Sequence, residues 1–98
     1  MGRRSWIEVD LGAPATIETL RLVVSQSPPG RTVHVVSGGP SRTQLRPLHT
    51  FEGTTDFGDE LVWTPPEPLT GIRVLRIETT VGPSWVAWLE IEAIGRPD

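Results

Sequence analysis

The residues able to do chemistry in this chain are few and widely spaced. His34 and His49 are the two imidazoles, and they stand too far apart for the short spacing that places two ligands on one metal. Cysteine is absent and all nine basic residues are arginine. This removes thiolate nucleophiles, thiolate metal sites and disulfides, along with the phosphate-loop lysine and Schiff-base chemistry. The serines, histidines and aspartates fall in no Gly-x-Ser-x-Gly elbow or other triad context. Glu8 with Asp10, and Glu90 with Glu92, are carboxylate pairs two residues apart, which alternation on the wet face of a strand produces without catalysis. Asp56, Asp59 and Glu60 form an acidic cluster without the spacing of a calcium-binding loop, so solvation accounts for them. The arginines are scattered and the net charge is -3, which leaves no basic stripe to follow a phosphate backbone. These residues point away from catalysis and away from nucleic acid.

The elements that must position them are strands. With 98 residues the chain reads as one domain with a small core, and no apolar run is long enough to span a bilayer. The basic start, Met1 to Ser5, leads into a strand without the apolar core of a secretory signal, so an export signal is expected outside this chain. Trp6 to Leu11 alternates, with Ile7, Val9 and Leu11 on one face. Gly12 to Ala15 reads as a break before a second strand, Ile17 to Val24, with Leu20, Leu22 and Val24 facing alike. Thr32 to Ser37 reads as a third strand with Val33 and Val35 inward, which sets His34 on the outer face. Leu45 to Phe51 is a fourth, kept off centre by Pro47. Residues 52–60 read as a surface loop before the short strand Leu61 to Thr64. Ile72 to Thr79 and Val86 to Ile94 are the last two, the final one with Leu89, Ile91 and Ala93 on one face and Trp88, Glu90 and Glu92 on the other. No segment of ten or more residues holds a helical apolar period. About seven short strands with regular turn signals predict an all-β antiparallel β-sandwich, because an apolar sheet face must be covered by another sheet. Trp6 and Trp63, in or beginning strand runs, are expected to seal it.

Two stretches carry a resemblance: Trp6-Ile7-Glu8-Val9-Asp10-Leu11-Gly12, and Ile72-Arg73-Val74-Leu75-Arg76-Ile77-Glu78 followed by Pro83-Ser84-Trp85-Val86-Ala87-Trp88-Leu89-Glu90-Ile91-Glu92. In this order and spacing, over almost the whole chain, they resemble a coagulation factor 5/8 type C (discoidin) domain. The resemblance implies the galactose-binding-like fold, an antiparallel jelly-roll sandwich used by bacterial carbohydrate-binding modules and by animal lipid- and receptor-binding domains. It also implies a non-catalytic binding module of an extracellular or cell-surface bacterial protein. The family's usual N-terminal segment, an Asp-Gly-rich loop and a further strand, does not precede the first motif. A domain excised from a larger protein is therefore expected, its exposed sheet position managed by a neighbour or by charge.

In that family, loops at one end of the sandwich bind the ligand, and two of them correspond to Ser25–Arg31 and Thr79–Trp85. A sugar offers an apolar C–H face and a rim of hydroxyls, so a flat aromatic and planar donors suit it. Gln26, Arg31, Ser84 and Trp85 are the ligand-binding candidates on this basis. Equally, Trp85 could cap the sandwich as a core residue with Arg31 merely solvated. Glu90 and the carbonyl of Ala87 match positions that hold a structural calcium in many relatives. The loop that provides most of the other ligands is missing, so a complete site and a required cofactor are not expected. Arg73 and Arg76 correspond to positions where basic side chains brace loops. The partner implied is carbohydrate or glycoprotein. The competing reading is a structural or protein–protein interaction domain that docks other domains of its parent chain and binds no sugar.

Overall fold

The computed structural model describes residues 5–26, 28–82 and 86–98, and every regular element among them is a β-strand. The strands are β1 (Ser5–Gln26), β2 (Gly30–Gly39), β3 (Arg46–Thr55), β4 (Glu60–Trp63), β5 (Leu69–Val81) and β6 (Val86–Pro97). All pairings are antiparallel, in the order β3-β2-β5-β1-β4, with β6 also on β1. The fold class is all-β, as the alternation implies.

The expected break at Gly12 to Ala15 is instead a bend inside one strand. Gly12 takes a φ of 87°, a conformation that side chains with a Cβ rarely adopt, and its N–H is held by Asp10 Oδ1 at 2.8 Å. Across this point the ladder with β5 shifts register between Asp10 and Ala15. The first limb of β1 pairs with β5, whereas the second keeps β5 only at Ala15 and Ile17 and pairs with β6 on one edge and, from Leu20 to Val23, with β4 on the other. One strand thus belongs to two layers, β3-β2-β5-β1 and β4-β1-β6, and the two runs expected to be separate strands are one. That is why six strands are present where about seven are expected.

The layers share one core. Ile17, Leu20 and Leu22 of β1 meet Val36 of β2 and Ile72, Leu75 and Ile77 of β5, with Phe51, Leu61 and Ile91 packed against them. The outer strands β3 and β4 approach through side chains. His49 stacks on Trp63 with centroids 4.7 Å apart, and Phe51 sets its edge on His49 at 4.7 Å. This aromatic seam joins the outer strands, and Trp63 lies half-buried within it. Pro47 lies on an outer strand, where its missing N–H costs no internal ladder bond.

Four local expectations are corrected. The strand Leu45 to Phe51 starts at Arg46 and continues to Thr55, so the expected loop over 52–60 shrinks to 56–59. In β2 the phase is reversed: Thr32, His34 and Val36 are buried while Val33 and Val35 are half-buried. Valine occupies both parities there, so alternation alone cannot set the facing, and polar partners on β3 and β5 decide it. In β6 the ladder partner of Val23 is Glu90 but that of Val24 is Trp88, so Leu89 is a bulge. The extra residue turns Trp88 onto the core and leaves Leu89 53% exposed. Trp6 does not seal the sandwich: it is 58% exposed, with the Arg76 guanidinium 4.8 Å above its ring.

The bulge makes a direct prediction. Ile77→Ala, emptying a fully buried site, should cost about 2–5 kcal/mol in urea unfolding. Leu89→Ala should cost less than about 0.5 kcal/mol; a core-sized loss there would refute the bulge.

Candidate functional site

The register brings three connections to one end of the molecule. Gln26 pairs with Val86, Gly30 with Thr55, and His34 with Thr79. Gln26, Thr55 and Val81, where β1, β3 and β5 end, therefore lie at the same end. Beneath them the interior is polar. The Thr55 hydroxyl donates to Gln26 Oε1 at 2.5 Å and shares a 2.8 Å hydrogen bond with the Thr32 hydroxyl. Gln26 Nε2 donates to the Pro28 carbonyl at 3.2 Å, which ties the network to the loop backbone. His34 Nδ1 lies 2.9 Å from the Thr79 hydroxyl, and the ring meets Trp88 edge-on at 4.8 Å. Each bond joins different segments, so the network fixes the loop bases relative to one another.

This geometry corrects the role of two residues. Gln26 is 2% exposed with both amide atoms engaged, so it supports the loop from below rather than facing a ligand. His34, expected outside, is fully buried. Its Nε2 has no hydrogen-bond partner among the described residues. Loss of hydration pushes the imidazole from its ordinary 6.5 down to about 4. Arg31 does lie on the surface, paired with Glu52 across the β2–β3 ladder. Ser84 and Trp85 fall outside the described residues.

One surface residue at this end escapes sequence reasoning: Phe57, 61% exposed. It sits in the turn between β3 and β4. Asp56 Oδ1 accepts the Phe57 N–H at 2.7 Å, and Asp59 Oδ2 accepts the Asp56 N–H at 2.8 Å. The turn is fastened to β1 by Gly58 N–H to the Val24 carbonyl at 2.8 Å and Val24 N–H to the Asp59 carbonyl at 2.9 Å. Asp56 and Asp59 are thus turn-forming acceptors rather than merely solvated charges. The signal in the sequence was an aromatic inside Asp-Phe-Gly-Asp, a run of turn formers.

The calcium candidates fit poorly. Ala87 and Glu90 are separated by the bulge at Leu89, and Arg21 Nη1 stands 3.1 Å from the Glu90 carboxylate. A fixed guanidinium repels a cation at that oxygen, and its other edge is held by Glu60. No group of three or more His, Cys, Asp or Glu side chains suited to a metal occurs among the described residues. Arg73 and Arg76 brace a strand rather than loops, pairing with Asp10 at 3.1 Å and with Glu8 at 2.5 Å on the neighbouring β1.

No family model, curated protein or solved structure matches the chain. The geometry alone bears on what this end can do.

Two predictions follow from these contacts. The unfolded chain takes up a proton on His34 below pH 6.5 that the folded chain refuses until about pH 4. Stability should therefore fall as pH drops through that window, by up to about 3 kcal/mol. Asp10 and Asp98, both held below the ordinary carboxylate value of 3.8 by hydrogen bonds, lose their contribution only at more acid pH. His49 is lowered by burial in the same direction as His34. In urea titrations at stepped pH, His34→Gln should flatten the slope between 6.5 and 4 more than His49→Gln does. An unchanged slope in His34→Gln would exclude this account. Millimolar calcium should leave the melting temperature unmoved, because an ion bound only by the folded state would raise it.

Proposed function

We propose that the chain is a non-catalytic binding module that recognises carbohydrate, free or on a glycoprotein, through the loops at one end of its sandwich. The discoidin-like motifs support this reading, together with the galactose-binding-like jelly roll that they imply. So does one structural observation: Phe57 stands exposed on a turn fastened to β1, at the end where loop bases are locked by Gln26, Thr32, Thr55 and Thr79. An exposed aromatic on a rigid base is the platform that the apolar face of a sugar ring needs. Arg31 supplies planar donors on the same end. Ser84 and Trp85 remain candidates on the resemblance alone.

Binding without chemistry suits the ionisable groups. Glu8 is engaged by Arg42 and Arg76, Asp10 by Arg73, and Glu60 and Glu90 by Arg21. A carboxylate already occupied by a guanidinium is not free to engage a substrate. The module belongs, on this reading, to a larger extracellular or cell-surface protein and needs no cofactor. A docking role toward other domains of the parent protein is favoured by one feature: Val62 and Ile94 lie exposed on the outer face of β4-β1-β6, and the bulged Leu89 of β6 is exposed as well.

A glycan array with amide chemical-shift mapping separates the two. For a glycan that binds, Phe57→Ala should weaken affinity at least about 30-fold, as loss of an anchoring aromatic does, with the melting temperature unchanged. Shifts should gather at residues 28–31 and 56–59. An array without a hit, or affinity indifferent to Phe57, would overturn the carbohydrate reading and leave the docking role.

A further inference from the structure

A second cleft lies away from the loop end. The segment from Pro40 to Leu45 folds over the outer face of the β1–β5 ladder. Its closure needs Gly39, because a Cβ there would come within 1.9 Å of the Gln44 carbonyl oxygen. Between this loop and the ladder is a cleft of about 290 Å³, at the lower end of the range that holds small molecules. Its floor is Val74, buried although it lies on the outer face of β5, with Pro40 beside it. Ser41 and Thr43 add hydroxyls to the rim.

Arg42 and Arg73 carry the chemistry. Arg73 Nε is tied to Asp10 Oδ1 at 3.1 Å and Arg42 Nε to Glu8 Oε1 at 3.3 Å. A guanidinium has five N–H donors in a planar fork, more than one carboxylate uses, so each arginine is oriented with donors to spare. Asp10 lines the cleft too, but its Oδ1 already accepts Arg73 and the Gly12 N–H, and these two hydrogen bonds hold its carboxyl below the ordinary range. Counting Arg42, Arg73 and Arg76 against Glu8 and Asp10, the cluster keeps one positive charge in a chain whose net charge is -3.

We infer that this cleft is a second ligand site that takes one residue of a carboxylated sugar, a uronate, with the carboxylate on Arg42 and Arg73 and the ring over Val74 and Pro40. The inference rests on the carbohydrate reading and adds a ligand class to it. A bare anion would use the arginines but not the apolar floor, and a neutral sugar would use the floor but not the paired guanidiniums.

The test is an amide chemical-shift titration of the whole chain at 150 mM salt, where loose surface attraction is largely screened. The probes are an oligogalacturonide, its neutral galactose counterpart, a sulfated oligosaccharide and inorganic phosphate. The expected result is saturable shifts at Asp10, residues 41–43 and Arg73 with the uronate, at least tenfold weaker with the neutral sugar and with phosphate. Arg42→Gln with Arg73→Gln should abolish these shifts and move the melting temperature by no more than a few degrees, since both arginines are exposed and the nearly buried Glu8 keeps Arg76 as its partner. Equal response to the neutral sugar, to the sulfated one or to phosphate, or uronate shifts confined to residues 28–31 and 56–59, would overturn this site while leaving sugar recognition standing. Silence toward every sugar would overturn both.

Discussion

The structure depends on a single strand shared between two layers. Without disulfides, a chain of 98 residues must hold its sheets together by packing alone, and a sheet pair joined only through loops is free to splay. Because β1 runs through both layers, Ile17, Leu20 and Leu22 are carried by backbone hydrogen bonds into contact with Ile72, Leu75 and Ile77. The bend is pinned by the last residue. Asp98 accepts the Thr16 hydroxyl at 2.5 Å and the Gly71 N–H at 2.8 Å, while its own N–H reaches the Pro14 carbonyl at 3.1 Å. The first limb of β1 has a cost. Residues 5–10 pair only with β5 among the described residues, which leaves a strand edge open. Glu8 and Asp10, with their arginines, place charge along that edge and oppose pairing with a foreign strand.

The opposite end is built differently. There Gln26, Thr32, Thr55, His34 and Thr79 occupy positions that aliphatic residues hold elsewhere in the core. Buried polar groups add little net stability, but each demands a specific partner, and that demand fixes which strand faces which. The loops above inherit the precision. Binding surfaces are commonly carried by loops on a rigid scaffold, and here the stiffening lies under the loop bases rather than within the loops.

Much of this was legible in the sequence, and the failures share a cause. Period-two alternation located the strands and the inward face of Leu20, Leu22 and Val24, because one face of each was plainly apolar. It failed where parity was ambiguous or broken. Val33, Val35 and Val36 straddle both faces, so His34 was set outside although hydrogen bonding draws it in. The bulge at Leu89 inserts a residue that no alternation count can anticipate. Gly12 reads as a terminator in the sequence, but its positive φ bends the strand without ending it. At the candidate site, the polar type of Gln26 suggested ligand contact, whereas its partners Thr55 and Pro28 make it interior support. A side chain's chemistry can be read from its type, but its direction depends on partners far away in the chain. Phe57 was overlooked for the converse reason, since its exposure depends on turn bonds from Asp56 and Asp59.

The division between an apolar end and a polar one has an energetic consequence. Apolar burial contributes most of the folding free energy, so the cluster around Leu22 and Ile77 holds the fold while the loop end contributes less than its volume suggests. His34 adds to the imbalance, because its Nε2 is desolvated with no partner among the described residues. Local opening therefore begins beneath the loops rather than at the bend, following the general rule that cooperative units with fewer apolar contacts open first. The bonds from Thr55 to Gln26 and from Thr79 to His34 counter this tendency at each loop base. A surface held in this way keeps its shape, because the loop bases are fixed by side chains beneath them rather than by contacts within the loops. The positions that hold it, Gln26, Thr55 and Thr79, are all buried.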